Sequence, residues 1–118
     1  MEQTIDWAGV TMLPMGHHDG RFIHAPGLYA FVRRGPDGSR SLLYVDQADD
    51  ISVVAGPGHP QWAAALALGM NELHVALQAS LRLDRLILRG ELIKRLAPGL
   101  NETDDAREAP AAPLQAFV

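Results

Sequence analysis

The sequence predicts an α+β domain in which a three-stranded antiparallel sheet is flanked by helices and preceded by an N-terminal extension. Three observations predict it. Residues 27–34 and 41–47 are rich in β-branched and aromatic side chains, and Gly35-Pro36-Asp37-Gly38 between them supplies turn chemistry, so the two runs form a hairpin. Residues 71–78 alternate apolar and polar side chains with period two, as in a strand with one buried face. Residues 80–96 have the length and the Leu, Arg and Lys content of a helix, and Pro98-Gly99 stops it.

The remaining elements follow from local signals. Residues 1–25 form the extension: Ile5, Trp7, Val10 and Leu13 suit one edge strand, followed by a loop through Gly16-His17-His18-Asp19-Gly20. After the hairpin, Ala48-Asp49-Asp50 offers an N-cap for a helix starting at Ile51, and Gly56-Pro57-Gly58 ends that helix after about one and a half turns. His59-Pro60 opens a second helical run over 61–68, closed by Gly69. On the last helix Leu86, Leu92, Ile93 and Leu96 share a sector of about 120°, a face able to cover the sheet. Arg85 and Arg89 lie in the same sector, whereas Glu91 points nearly the opposite way. Residues 102–118 are an acidic, Ala- and Pro-rich tail outside the core; its apolar end, Leu114-Gln115-Ala116-Phe117-Val118, either rests on the domain or frays, or engages a partner.

Composition bounds the function. A chain of 118 residues, 47% apolar and 20% charged, is the size of one domain around one core. The longest uncharged apolar stretch, residues 51–70, is interrupted by Gly56, Pro57, Gly58, His59, Pro60 and Gln61, so no membrane span is expected. The first residues carry acid where a secretory signal carries base, which makes a cytoplasmic location the default expectation. The absence of cysteine excludes disulfides, thiolate metal sites and a cysteine nucleophile. A formal charge of -4 argues against a dedicated nucleic-acid binder, yet residues 21–101 hold nine basic against seven acidic side chains, so nucleic-acid contact stays open.

Three motifs in this order carry a family resemblance. Pro26-Gly27-Leu28-Tyr29 and Leu43-Tyr44-Val45-Asp46-Gln47-Ala48-Asp49-Asp50-Ile51 resemble the GIY and YIG motifs of the GIY-YIG nuclease superfamily, and Leu92-Ile93 followed by Pro98 and Leu100-Asn101 resembles its closing pattern. The resemblance covers residues 26–101. It implies a three-stranded antiparallel sheet flanked by helices and phosphodiester hydrolysis, in which two tyrosines help activate water, an arginine on the first helix steadies the phosphate and a glutamate on a later helix holds one divalent metal. Tyr29, Tyr44 and Asn101 match the family's two tyrosines and late asparagine.

The other positions depart from the pattern. The arginine position falls on Val54, with Val53 beside it, and no Arg or Lys occurs between Ser41 and Leu81. The glutamate position falls on Arg89, and Asp46 replaces the glycine of YIG. A guanidinium repels a divalent metal instead of ligating it, so hydrolysis by the family route is not expected. One new acid and one new base at positions the fold should bring together predict an Asp46–Arg89 ion pair.

Other candidates have plainer alternatives. His17-His18-Asp19 with His24 contains metal-ligating residue types, but adjacent ligands in a glycine-flanked loop lack the usual spacing. His59 reads as a helix-entry loop residue, with ligand contact as its other role, and His74 is expected to face solvent or pair across the sheet. Tyr29 and Tyr44 serve either packing or ligand contact. Arg85 and Arg89 are further candidates for ligand contact on a helix of net charge +3, and Trp62 to Leu68 reads as core filling or a dimer contact. The first expectation is a non-catalytic binding or regulatory module with a protein or nucleic-acid partner, without metal or cofactor. The alternatives are a nuclease using Mg²⁺ or Mn²⁺ through Glu91, Asp46 or a histidine, and a structural or homodimeric interaction protein.

Overall fold

The computed structural model describes residues 3–15 and 20–102. Their order is β1 (Ile5–Trp7), β2 (Val10–Pro14), β3 (Gly27–Arg34), β4 (Arg40–Ala48), α1 (Ile51–Val54), α2 (Trp62–Ala67), β5 (Glu72–Ala76) and α3 (Arg82–Leu96). The sheet is antiparallel, in the order β1-β2-β5-β3-β4. The fold is therefore α+β as expected, but with five strands in place of three.

The two additional strands come from the N-terminal extension. The run expected as one edge strand is folded in two by a turn at Ala8-Gly9, both residues having positive φ (51° and 93°). Two such residues make the primed turn whose twist matches paired strands. Asp6 Oδ1 fastens the turn by accepting from Gly9 N at 2.9 Å, and Trp7 then pairs with Val10. β2 continues the sheet along β5, with Leu13 opposite Val75.

Alternation along the strands builds two cores, one on each side of the sheet. Tyr29, Phe31, Tyr44, Leu73 and Val75 point to the side covered by Ile51 and Ala55 around α1 and by Trp62 and Ala65 of α2. Leu28, Ala30, Val32, Val45 and Ala76 point to the other side, which Leu92 of α3 closes with Leu88 and Ile93. Gly27, at the start of β3, has no room for a side chain, because a Cβ there would lie 2.6 Å from Ala76 O.

The short helices follow their local signals. Asp50 caps α1, its Oδ1 accepting from Ser52 N at 3.0 Å, and α1 ends before Gly56. The face of α3 is as expected in part: Leu92 and Arg85, both in the predicted sector, are buried and Ile93 packs on the core, but Leu86 and Leu96 are 37% and 36% exposed. Arg85 occupies a core position because each of its three guanidinium nitrogens has an acceptor. It donates to Ser80 O (2.6 Å), Ala79 O (3.3 Å), Gln47 Oε1 (3.1 Å) and Asp49 Oδ1 (2.8 Å), tying the start of α3 to the end of β4.

β4 is one of the two edge strands, and Asn101 covers part of its open rim. The buried Asn101 side chain donates from Nδ2 to Val45 O and accepts at Oδ1 from Val45 N, each at 2.8 Å, as a neighbouring strand would. Asn101→Ala is expected to lower stability by about 1–2 kcal/mol by stranding these two buried backbone groups. Chemical denaturation checks the value, and an unchanged midpoint would contradict this account of the edge.

Of the two roles expected for His74, pairing across the sheet holds and exposure to solvent does not. The side chain is fully buried, with Nδ1 accepting from Trp7 Nε1 at 3.0 Å and Nε2 lying 2.9 Å from Glu72 Oε1. Arg40 completes the chain of contacts through Nε, 2.8 Å from the same Glu72 oxygen. Burial holds the His74 imidazole below the usual histidine range, outweighing the opposing pull of the Glu72 carboxylate. Burial also pushes Glu72 up, but hydrogen bonds and charge from Arg40 and His74 together hold it below the usual glutamate value.

Among the described residues no helix is long and apolar enough to cross a membrane. The expected loop histidines His17 and His18, Asp19, and the tail from residue 103 onward lie outside the described residues.

Candidate functional site

β3, β4, α1 and the turn before α2 converge on a cleft of about 400 Å³ lined by Tyr29, Tyr44, Asp46, Val53, Val54, Gly58, His59 and Pro60. Register places its polar groups. Tyr29 is directly opposite Asp46 and Phe31 directly opposite Tyr44, so both tyrosines and the aspartate emerge on the α1/α2 side of the sheet. The rings form one cluster: Tyr44 and His59 centroids are 5.1 Å apart, Phe31 and His59 4.9 Å, and Tyr29 and Tyr44 6.4 Å. Edge contacts of this kind fix ring orientation as well as burying apolar area.

His59 is oriented from both ends. Its Nδ1 accepts from Gln61 N at 2.9 Å, which makes Nε2 the protonated nitrogen of the neutral ring. Nε2 lies 2.8 Å from the Tyr29 hydroxyl, so the ring donates to the Tyr29 oxygen. The sequence favours a loop role for His59; its place against Tyr29 was hidden because the two are 30 residues apart.

Asp46 and Arg89 meet. Arg89 Nε is 2.8 Å from Asp46 Oδ1, with the side chains 23% and 29% exposed respectively, so the ion pair expected from the sequence is present and partly buried. The carboxylate has further partners: Gln47 N donates to Oδ1 at 2.7 Å and the Tyr44 hydroxyl donates to Oδ2 at 3.1 Å. Tyr44 and Asp46 thus form a connected pair on the wall of the cleft, and Arg89, which is not among the lining residues, holds Asp46 from outside it. Glu91 stands on the exposed side of α3, 3.3 Å from Arg95, and takes no part in the site.

The other sequence candidates distribute as follows. Val54 lines the cleft at the position where an arginine would be expected from the resemblance, and Val53 lies beside it. Arg85 is held in the network at the start of α3 and is not among the lining residues, while Asn101 serves the β4 edge. His24 is exposed, 2.9 Å from the Ser52 hydroxyl. Gly58 and Pro60 complete the mouth of the cleft; their only sequence signal is as helix-breaking neighbours of His59.

Both oxygens of Asp46 are engaged, one of them by a cation, and among the described residues no group of three or more His, Cys, Asp or Glu is arranged to hold an ion. The site instead offers phenolic and imidazole hydrogen-bonding groups above apolar walls, with the charge of Asp46 balanced by Arg89. In comparison with known proteins, no family model, no curated protein and no solved structure matches the chain.

Proposed function

We propose that this chain is a GIY-YIG-like domain that has lost nuclease chemistry and acts as a non-enzymatic binding or regulatory module, its partner contacting the Tyr29–Tyr44–His59 cleft. The observation that carries the reading is the 2.8 Å Asp46–Arg89 ion pair. A metal-dependent phosphodiesterase needs an available carboxylate for its ion and a cation on the scissile phosphate. Here the carboxylate beside the tyrosines is committed to a guanidinium, and the lining residues of α1 are Val53 and Val54.

The motif spacing and the antiparallel arrangement of β3, β4 and β5 between helices support the family reading. The cleft chemistry supports recognition by hydrogen bonding and apolar contact in place of phosphate charge. Tyr29 and His59 present oriented polar groups, and Val53, Val54 and Pro60 provide apolar walls.

Incubation with supercoiled plasmid and with single-stranded and structured nucleic acids in Mg²⁺ or Mn²⁺ tests the loss of chemistry. We expect no cleavage above the level of a Tyr29→Phe variant. Metal-dependent cutting that Tyr29→Phe abolishes would overturn the reading and establish a nuclease with a rearranged site.

A further inference from the structure

A second cleft, of about 330 Å³, is lined by Gln3, Leu13, Pro14, Met15, Arg34, Arg40 and Glu72. Arg34 is five residues along β3 from Tyr29, about 17 Å at the rise of an extended strand. Register makes Arg34 and Arg40 direct cross-strand partners, an arrangement of like charges that is unfavourable without compensation. Glu72, the one carboxylate lining this cleft among the described residues, is shared unequally. Arg40 takes it with Nε at 2.8 Å and Nη2 at 3.4 Å, whereas the nearest Arg34 nitrogen is 3.9 Å away, outside hydrogen-bonding distance.

Among the described residues, two guanidinium groups therefore face one carboxylate. A local positive excess remains in a chain whose formal net charge is -4. Arg34 is also set in place for a ligand: the Asn71 side chain accepts from Arg34 N at 2.7 Å and donates to Arg34 O at 3.0 Å, fixing the backbone while the side chain stays 51% exposed. A guanidinium with a fixed root and unused donors matches the two-oxygen face of a carboxylate or phosphate.

We propose that this cleft is an oxyanion site in which Arg34, supported by Arg40, binds the carboxylate or phosphate group of a small ligand. The anion completes the charge balance that Glu72 alone leaves unfilled, and the volume beyond it accommodates the rest of a small molecule. The site is separate from the tyrosine cleft and does not depend on how that cleft is used.

The test is an NMR titration of the ¹⁵N-labelled full chain with inorganic phosphate and, separately, with acetate, chloride holding the ionic strength constant. We expect saturable shifts of the Arg34 and Arg40 Nε–H and Gln3 amide resonances. Binding should be about tenfold weaker in Arg34→Gln, as for the loss of a charge-assisted hydrogen bond, and unchanged in Arg82→Gln on the exposed start of α3. Saturation by phosphate alone assigns a phosphorylated ligand, and saturation by acetate alone assigns a carboxylate. The proposal is overturned if neither anion gives a saturable response, if Arg34→Gln binds as the native chain does, or if Arg82→Gln weakens binding equally.

Discussion

Replacing Glu72 with alanine is expected to destabilise the protein by about 3–5 kcal/mol, the range for removing one partner of a buried ion pair. The Arg40 side chain is only 12% exposed and has Glu72 as its close partner, so the substitution strands a guanidinium away from water. It also removes the acceptor facing His74 Nε2 inside the sheet and loosens the ring that holds Trp7. Because Trp7 belongs to β1, the damage should spread to the N-terminal hairpin. Hydrogen exchange should show β1 and β2 losing protection first, and chemical denaturation should give the size of the loss. A change below about 1 kcal/mol, the range of exposed pairs, would show that the network contributes little.

The same residues set a pH dependence of definite sign. His74 has a folded pKa below its ordinary value, so on acidification from about pH 6.5 the unfolded chain takes up a proton that the folded chain still refuses. Stability therefore falls as pH drops through that window and is fully present above it. Glu72, also depressed, adds a further loss of the same sign starting near pH 4.3, as pH falls toward its folded pKa. Melting temperature should decline from pH 7 to pH 5.5, and a His74→Gln variant should show a flatter profile across that interval.

Local elements were legible in the sequence and distant partnerships largely were not. The β3–β4 hairpin, the Asp50 cap and the end of α1 at Gly56 are decided by residues within a few positions of one another. The N-terminal hairpin was obscured because its turn uses Ala8 at φ 51°, where a side chain rarely sits, leaving Gly9 alone as the signal of the reversal. His74 looked like the polar member of an alternating strand, and only Trp7, 67 residues away, and Arg40 explain why an imidazole can be buried there. On α3 the predicted sector holds for Leu92, Ile93 and Arg85, but hydrophobicity wrongly selects Leu86. Backbone carbonyls at Ala79 and Ser80 instead make Arg85 the residue the core accepts. At the site, Asp46 and Arg89 could be paired from sequence because an acid and a base stand where the motif has a glycine and a glutamate, whereas the contact of His59 with Tyr29 required the folded chain.

The Asp46–Arg89 pair bears most directly on why the tyrosine cleft is read as non-catalytic. Asp46→Asn keeps a group of similar shape beside Tyr44 but leaves the mostly covered Arg89 guanidinium without its counter-charge, at an expected cost of about 2–3 kcal/mol, less than for a fully buried pair. Asp46→Asn combined with Arg89→Met removes both charges, and the aliphatic chain still covers the end of β4, so the double variant should lose under about 1 kcal/mol. A double-mutant cycle in denaturant measures the interaction. A coupling near 2 kcal/mol, with the single Asp46 variant several times worse than the double, is the predicted result; costs that simply add would mean that Asp46 is not committed to Arg89, and the cleft would again have a carboxylate to offer.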